Sequence, residues 1–205
     1  MTTWYFDVIS PFAWLALPEV EAWPEPVAYR PILFAGILKH WGQLGPAEIP
    51  PKRLHTYRLC VHEAARRGIP LRFPPRHPFN PLAALRLLAA TDGDPAATRT
   101  AMETIWRDGH DPSTPEGLAH LAQALGVADP EAAMAAGRDK LRANTEAAIA
   151  TGVFGVPTLA IGPDLFWGAD ALPLARATLA DPGLLTRGEM ARVATLGELQ
   201  RERGP

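Results

Sequence analysis

Thr3-Trp4-Tyr5-Phe6-Asp7-Val8-Ile9-Ser10-Pro11-Phe12-Ala13 is the stretch from which the rest of the chain is read. Apart from Asp7, residues 3–9 are aromatic or β-branched, the composition of a short buried strand. Ser10-Pro11 follows without a linker. Serine suits the position just before a helix and proline suits its first turn. A helix is therefore expected through Phe12, Trp14 and Leu15, bending near Pro18. Residues 26–32 have the character of a second strand. Strand, helix and strand in that order imply a parallel pair with a right-handed crossover.

Beyond residue 35 the period-two alternation fades until about residue 150. Helices are expected at 52–67, 80–91, 95–108, 114–125, 130–137 and 138–151. Pro81 after Asn80 and Pro115 after Thr114 are start signals, and Gly68, Gly109, Gly126 and Gly152 are stop signals. Strand character returns at 157–162, Pro163-Asp164 makes a turn, and residues 165–167 form a partner strand. Helices at 170–180 and 185–201 complete the order. A βαβ unit, a helical block and a ββα unit together predict an α/β thioredoxin-like fold with a large all-helical insertion. The expected division is 1–36 plus 152–205 for the thioredoxin-like domain and 37–151 for the inserted one.

The bulk numbers exclude several functions. A net charge of -2 over 205 residues offers no basic field for nucleic acid or an anionic membrane. No run of about 18 apolar residues occurs, so no membrane span is expected. The beginning of the chain has no charged leader followed by an apolar run, so no secretory signal is expected. One cysteine, Cys60, cannot form an internal disulfide, and this suits a reducing, cytoplasmic setting. Mid-helix, Cys60 is expected to be a small buried residue. The six histidines show no ligand spacing with a glutamate between them, so no metal site is expected. His55 and His62 share a helix face that either lines a cleft or meets water, and water is favoured. Trp14, Trp41, Trp106 and Phe79 are expected to be mostly core, although Trp41 and Phe79 could flank an aromatic substrate.

Three segments carry the chemistry. At the strand–helix junction, redox-active thioredoxin-like proteins hold Cys-x-x-Cys, where the helix N-terminus stabilises a thiolate. Here Ser10 and Ala13 occupy those positions. Electron transfer is lost and the anion-stabilising geometry is kept, so Ser10 is either a plain helix cap or a donor to a thiolate brought by glutathione. Gly152-Val153-Phe154-Gly155-Val156-Pro157-Thr158 is the second segment. A cis Val156-Pro157 bond would turn the Val156 backbone outward to pair with a peptide ligand. The third is Phe166-Trp167-Gly168-Ala169-Asp170, where Asp170 either meets a ligand ammonium or caps the next helix.

These segments resemble the 2-hydroxychromene-2-carboxylate isomerases, which sit with the kappa-class glutathione transferases in the DsbA-like branch of the thioredoxin superfamily. Arg30-Pro31, Gly36-Ile37-Leu38-Lys39, Lys52, Phe79-Asn80 with Arg86, and Trp106 extend the resemblance across about residues 3–180. It implies glutathione as cofactor, held by Ser10, Pro11, Val156, Pro157, Trp167, Gly168, Ala169 and Asp170. Ser10 would activate the sulfur, Val156 would pair with the cysteinyl backbone, and Asp170 would meet the γ-glutamyl ammonium. Lys39, Gln43, Lys52 and Asn80 would approach an aromatic or chromene carboxylate. It further implies reversible addition of the glutathione thiolate, ring opening, bond rotation and release of glutathione by a homodimeric enzyme. The chain departs from the family pattern at Ala171, at Gly42-Gln43, and at His55, Leu59 and His62. Two other functions use the same segments: a kappa-like transferase that consumes glutathione, and a non-catalytic module that binds peptides in the cis-proline groove.

Overall fold

Strand β1 (Thr2–Phe6) lies at the centre of a four-stranded sheet ordered β2-β1-β3-β4. It runs parallel to β2 (Val27–Pro31), with Trp4 opposite Tyr29. It runs antiparallel to β3 (Thr158–Ile161), with Trp4 opposite Leu159. The hairpin partner β4 (Asp164–Trp167) pairs with β3 and sets Trp167 beside Thr158. The computed structural model describes residues 1–197. β1 is shorter than the expected 3–9 because the chain turns at Asp7: the Ser10 N–H donates to the Asp7 carbonyl at 3.0 Å, and the Ile9 N–H to Asp7 Oδ1 at 3.0 Å.

The near-continuous apolar run of β1 reflects burial on both faces. Trp4, Phe6 and Val8 point into the main core, where Trp4 and Phe6 stack at 4.4 Å and Tyr29 meets both edge-on. Tyr5 points the other way, into a second cluster with Ile32, Ile37, Val153 and Val156. The main core does not stop at the sheet: Leu85, Met102, Ile105 and Trp106 from the helical segment belong to it. We propose the division at residues 36 and 152 as a description of chain order, with one core running through both parts.

Helix α1 (Pro11–Glu21) begins at Ser10 and runs through Pro18 to Glu21. The inserted segment holds α2 (Phe34–Trp41), α3 (Pro50–Arg67), α4 (Leu82–Ala90), α5 (Pro95–Met102), α6 (Pro115–Ala124) and α7 (Pro130–Ala150). A π-turn, Glu103–Arg107, extends α5 and carries Trp106. The sequence reading lacks α2, and it splits α7 into two helices at Gly137. The helix passes through that position unbroken, and the glycine serves close packing: a β-carbon there would lie 1.9 Å from the Arg86 carbonyl oxygen of α4. After the hairpin come α8 (Leu172–Ala180) and a short α9 (Gly188–Val193). The helix expected at 185–201 is thus shorter and preceded by a 3-10 turn, Leu184–Thr186, and its last residues lie outside the described ones. Among the described residues, no helix is long and apolar enough to cross a membrane.

Candidate functional site

The β1–α1 junction, the turn before β3 and the end of β4 meet on one side of the sheet and open on a cavity of about 1110 Å³. The opposite wall is built by the start of α2, the loop after it, α3, and residues 77–79 with Pro81.

Ser10 is buried at the tip of α1, where its Oγ accepts from the Ala13 N–H at 3.3 Å. The residue is a helix cap, and a hydroxyl that caps as an acceptor still holds a proton to give. No acceptor for that proton is found among the described residues, and Ser10 lines the cavity. Both readings of Ser10 are therefore compatible in one side chain.

The Val156-Pro157 bond is cis. Neither the N–H nor the C=O of Val156 has a hydrogen-bond partner among the described residues, although the residue is buried and lines the cavity. Polar backbone groups in such a place need a partner. Trp167 stands next to this turn and meets Phe154 edge-on at 5.3 Å. A β-carbon at Gly155 would lie 2.3 Å from the Trp167 Nε1, so any larger residue there would displace the indole from its present place. Gly168 has φ +93, which glycine adopts at little cost. Asp170 lines the cavity, and it is not the cap of α8: that helix starts after Ala171 with no side-chain cap. Its carboxylate has no hydrogen bond or ion pair with another described residue.

Of the remaining expected residues, Pro11, Gln43, Lys52, Gly168 and Ala169 line the cavity. Pro157, Lys39 and Asn80 are not among the lining residues. Pro157 is buried under the turn, and Lys39 is exposed near the end of α2. Asn80 spends its Oδ1 on the Leu82 N–H at the start of α4, at 3.0 Å. Phe79 lines the cavity; Trp41 is outside it, donating to the Val153 carbonyl at 2.9 Å. His55 and His62 are exposed. Cys60 is fully buried and burial pushes its thiol up to about 12, which excludes it as a thiolate nucleophile at neutral pH. Among the described residues no three potential ligands are grouped to hold a metal ion.

Asp7 is a site residue whose importance the sequence signals only by an acid inside an aromatic strand. It is fully buried, lines the cavity, and accepts from the Ile9 and Phe34 N–H groups at 3.0 and 2.8 Å. Desolvation outweighs those two bonds and raises its pKa to about 7. Unfolded, the same carboxyl titrates near 3.8. Between the two values the unfolded chain has released a proton that the folded chain retains, so stability falls as pH rises through that window. Three pKa units correspond to about 4 kcal/mol at about 1.4 kcal/mol each. Urea midpoints at pH 5 and pH 8 should therefore differ less in Asp7→Asn than in the wild type. An equal difference in both proteins would mean that Asp7 titrates normally.

The comparisons with known proteins agree on the architecture. Residues 3–180 match the DSBA-like thioredoxin domain family. The chain is 31% identical to a 2-hydroxychromene-2-carboxylate isomerase of Sphingobium xenophagum, over 86% of this chain and 96% of that protein. It is 26% identical to glutathione S-transferase kappa 2 of Caenorhabditis elegans, over 87% of this chain and 91% of that protein. A solved 2-hydroxychromene-2-carboxylate isomerase structure superposes with a TM-score of 0.77 at 24% identity, covering 94% of this chain and 98% of the other; that likeness is one of fold.

Proposed function

Because the chain belongs to the DSBA-like thioredoxin domain family, alongside the 2-hydroxychromene-2-carboxylate isomerases, we propose that it is a glutathione-dependent isomerase of an aromatic or chromene-type carboxylate. The observation that carries this reading is a set of unspent polar groups around one cavity: the Ser10 hydroxyl proton, both backbone groups of Val156, and the Asp170 carboxylate. A donor, a strand-like edge and an anion are what a thiol, a peptide backbone and an α-ammonium require.

When bound, glutathione supplies a thiol that, as thiolate, adds reversibly to an electrophilic carbon and so releases a double bond to rotate. The protein's part is to hold and tune. Ser10 donates its hydroxyl proton toward the sulfur, and the N-terminal amides of α1 add a positive field that favours the thiolate. Val156 presents the N–H and C=O of an added strand. Asp170 meets the ammonium. Lys52 is suited to the substrate carboxylate: among the described residues it is the one lysine or arginine of the cavity without a carboxylate partner, since Arg66 and Arg67 are engaged by Glu63 and Arg67 also by Glu19. Phe12, Phe34, Leu38, Leu59 and Phe79 give the cavity apolar walls for an aromatic ring.

The test is to follow isomerisation of 2-hydroxychromene-2-carboxylate with glutathione absent, substoichiometric and in excess. Many turnovers per glutathione are expected. Turnover without glutathione would overturn the proposal. The similarity to a kappa transferase supports a second reading, in which glutathione is consumed; one glutathione lost per product would decide for it. Asp170→Asn is expected to raise the apparent KM for glutathione roughly tenfold with kcat nearly unchanged, the signature of lost uniform binding to a charged group. An unchanged KM would remove Asp170 from the site.

A further inference from the structure

Two successive carbonyls of the β1–α1 turn are held by side chains from the inserted segment, far away in sequence. Trp106 Nε1 donates to the Val8 carbonyl at 2.9 Å, and His77 Nε2 lies 2.8 Å from the Ile9 carbonyl. A carbonyl oxygen only accepts, so His77 Nε2 carries the hydrogen. The Ile9 carbonyl belongs to the peptide plane that ends in the Ser10 N–H. That N–H donates to the Asp7 carbonyl at 3.0 Å. The plane immediately before Ser10 is thus pinned on both sides, by Asp7 from within the turn and by His77 from outside it.

His77 is itself held. Its Nδ1 lies 2.7 Å from the Tyr57 hydroxyl on α3, which is also 2.7 Å from the His77 carbonyl. Burial, its largest influence, keeps the imidazole below its ordinary pKa; a neutral ring protonated at Nε2 leaves Nδ1 an acceptor, and the one Tyr57 hydroxyl hydrogen is shared between Nδ1 and the His77 carbonyl, both of which it faces at 2.7 Å. Phe73, Phe79 and Trp106 meet the ring at centroid distances of 5.8, 5.8 and 5.5 Å and restrict its rotation. Tyr57, His77, Ile9 and Ser10 all line the same cavity.

We infer that His77, oriented by Tyr57, is a positioning residue of the thiol site: by fixing the Ile9–Ser10 peptide plane it aims the Ser10 hydroxyl and the first amides of α1. The inference rests on the glutathione reading above and adds a link that reading does not contain. Tyr57 shares α3 with Lys52 and Leu59, so the wall that meets the second substrate is tied by two hydrogen bonds to the turn that meets the sulfur. A displacement of α3 on substrate binding would be transmitted to the thiolate through those bonds.

Two variants test it, Tyr57→Phe and His77→Phe, each keeping a ring of similar size. Glutathione affinity is measured by calorimetry, and the pKa of the bound thiol by thiolate absorbance against pH. Both variants are expected to bind glutathione within about threefold of wild type while the bound thiol pKa rises by about one unit, a tenfold fall in the thiolate-to-thiol ratio at any fixed pH. A bound thiol pKa equal to that of wild type in both variants would overturn the inference. Hydrogen exchange at the Ser10 amide, read without glutathione, covers the two remaining cases. If wild type binds no glutathione the functional reading fails. Exchange at least tenfold faster in Tyr57→Phe still supports the positioning role, and unchanged exchange removes it. If His77→Phe does not fold, Tyr57→Phe decides by the same two readouts.

Discussion

Ser10→Ala is expected to lower turnover by about 100-fold while leaving the fold intact. Loss of one preorganised donor to a developing or resident anion typically costs a factor of about 100 to 1,000. Here the donor is a buried hydroxyl at the tip of α1 that lines the cavity and has no other acceptor for its proton among the described residues. Ser10 also accepts from the Ala13 N–H, and losing that cap costs about 1 kcal/mol of stability. The two roles separate by experiment. Bound-thiol pKa and kcat report the donor, whereas the denaturation midpoint reports the cap. Ser10→Thr keeps a hydroxyl and should retain most of both. Full activity in Ser10→Ala with a normal thiolate signal would place the sulfur elsewhere.

Gly137→Ala is expected to destabilise the protein by about 3 kcal/mol although alanine is the better helix former. At Gly137, α7 presses against α4 so closely that the added β-carbon would meet the Arg86 carbonyl oxygen at 1.9 Å and its carbon at 2.8 Å. Both obstacles are backbone, so relief requires the helices to part, and Leu85, Leu88 and Leu141 would lose contact around them. For a chain of this length the melting temperature should fall by roughly 6–12 °C. Gly197→Ala is a control, because a β-carbon there meets nothing within 4 Å. Equal melting of Gly137→Ala and wild type would mean that the helices do not cross there.

These two residues mark the limits of what the sequence discloses. Ser10 was legible because its signals are local: a strand composition, Ser-Pro, and an emptied Cys-x-x-Cys position. The hairpin, the Val156-Pro157 turn and most helices were legible for the same reason. Gly137 was misleading because glycine's low helix propensity argues for a break, while its actual use depends on a neighbour 51 positions earlier. Helix α2 was missed because Leu33 and Phe34 carry no capping signal at its start. The hydrogen bond from His77 to Ile9 spans 68 positions, and nothing in either local sequence announces it. Asn80 is placed near the second substrate only by the family resemblance, and the structure reveals that its carboxamide turns to α4. Lys39 and Lys52 are equally cationic in sequence, and it is the geometry of α2 and α3 that puts only Lys52 on the cavity.

The pairing of β1 with β3 has a consequence for how the protein comes into being. Thr2 lies opposite Ile161, so β1 is synthesised before the other strands of the sheet and receives its second neighbour only after about 160 residues have followed. Until then one edge of a strand rich in aromatic groups is open, with Trp4, Tyr5 and Phe6 unable to complete their packing. Closing a loop of that length is entropically costly and makes the final step of folding slow compared with the local helices. The nascent chain is accordingly most vulnerable to aggregation in the interval between translation of β2 and translation of the last hairpin.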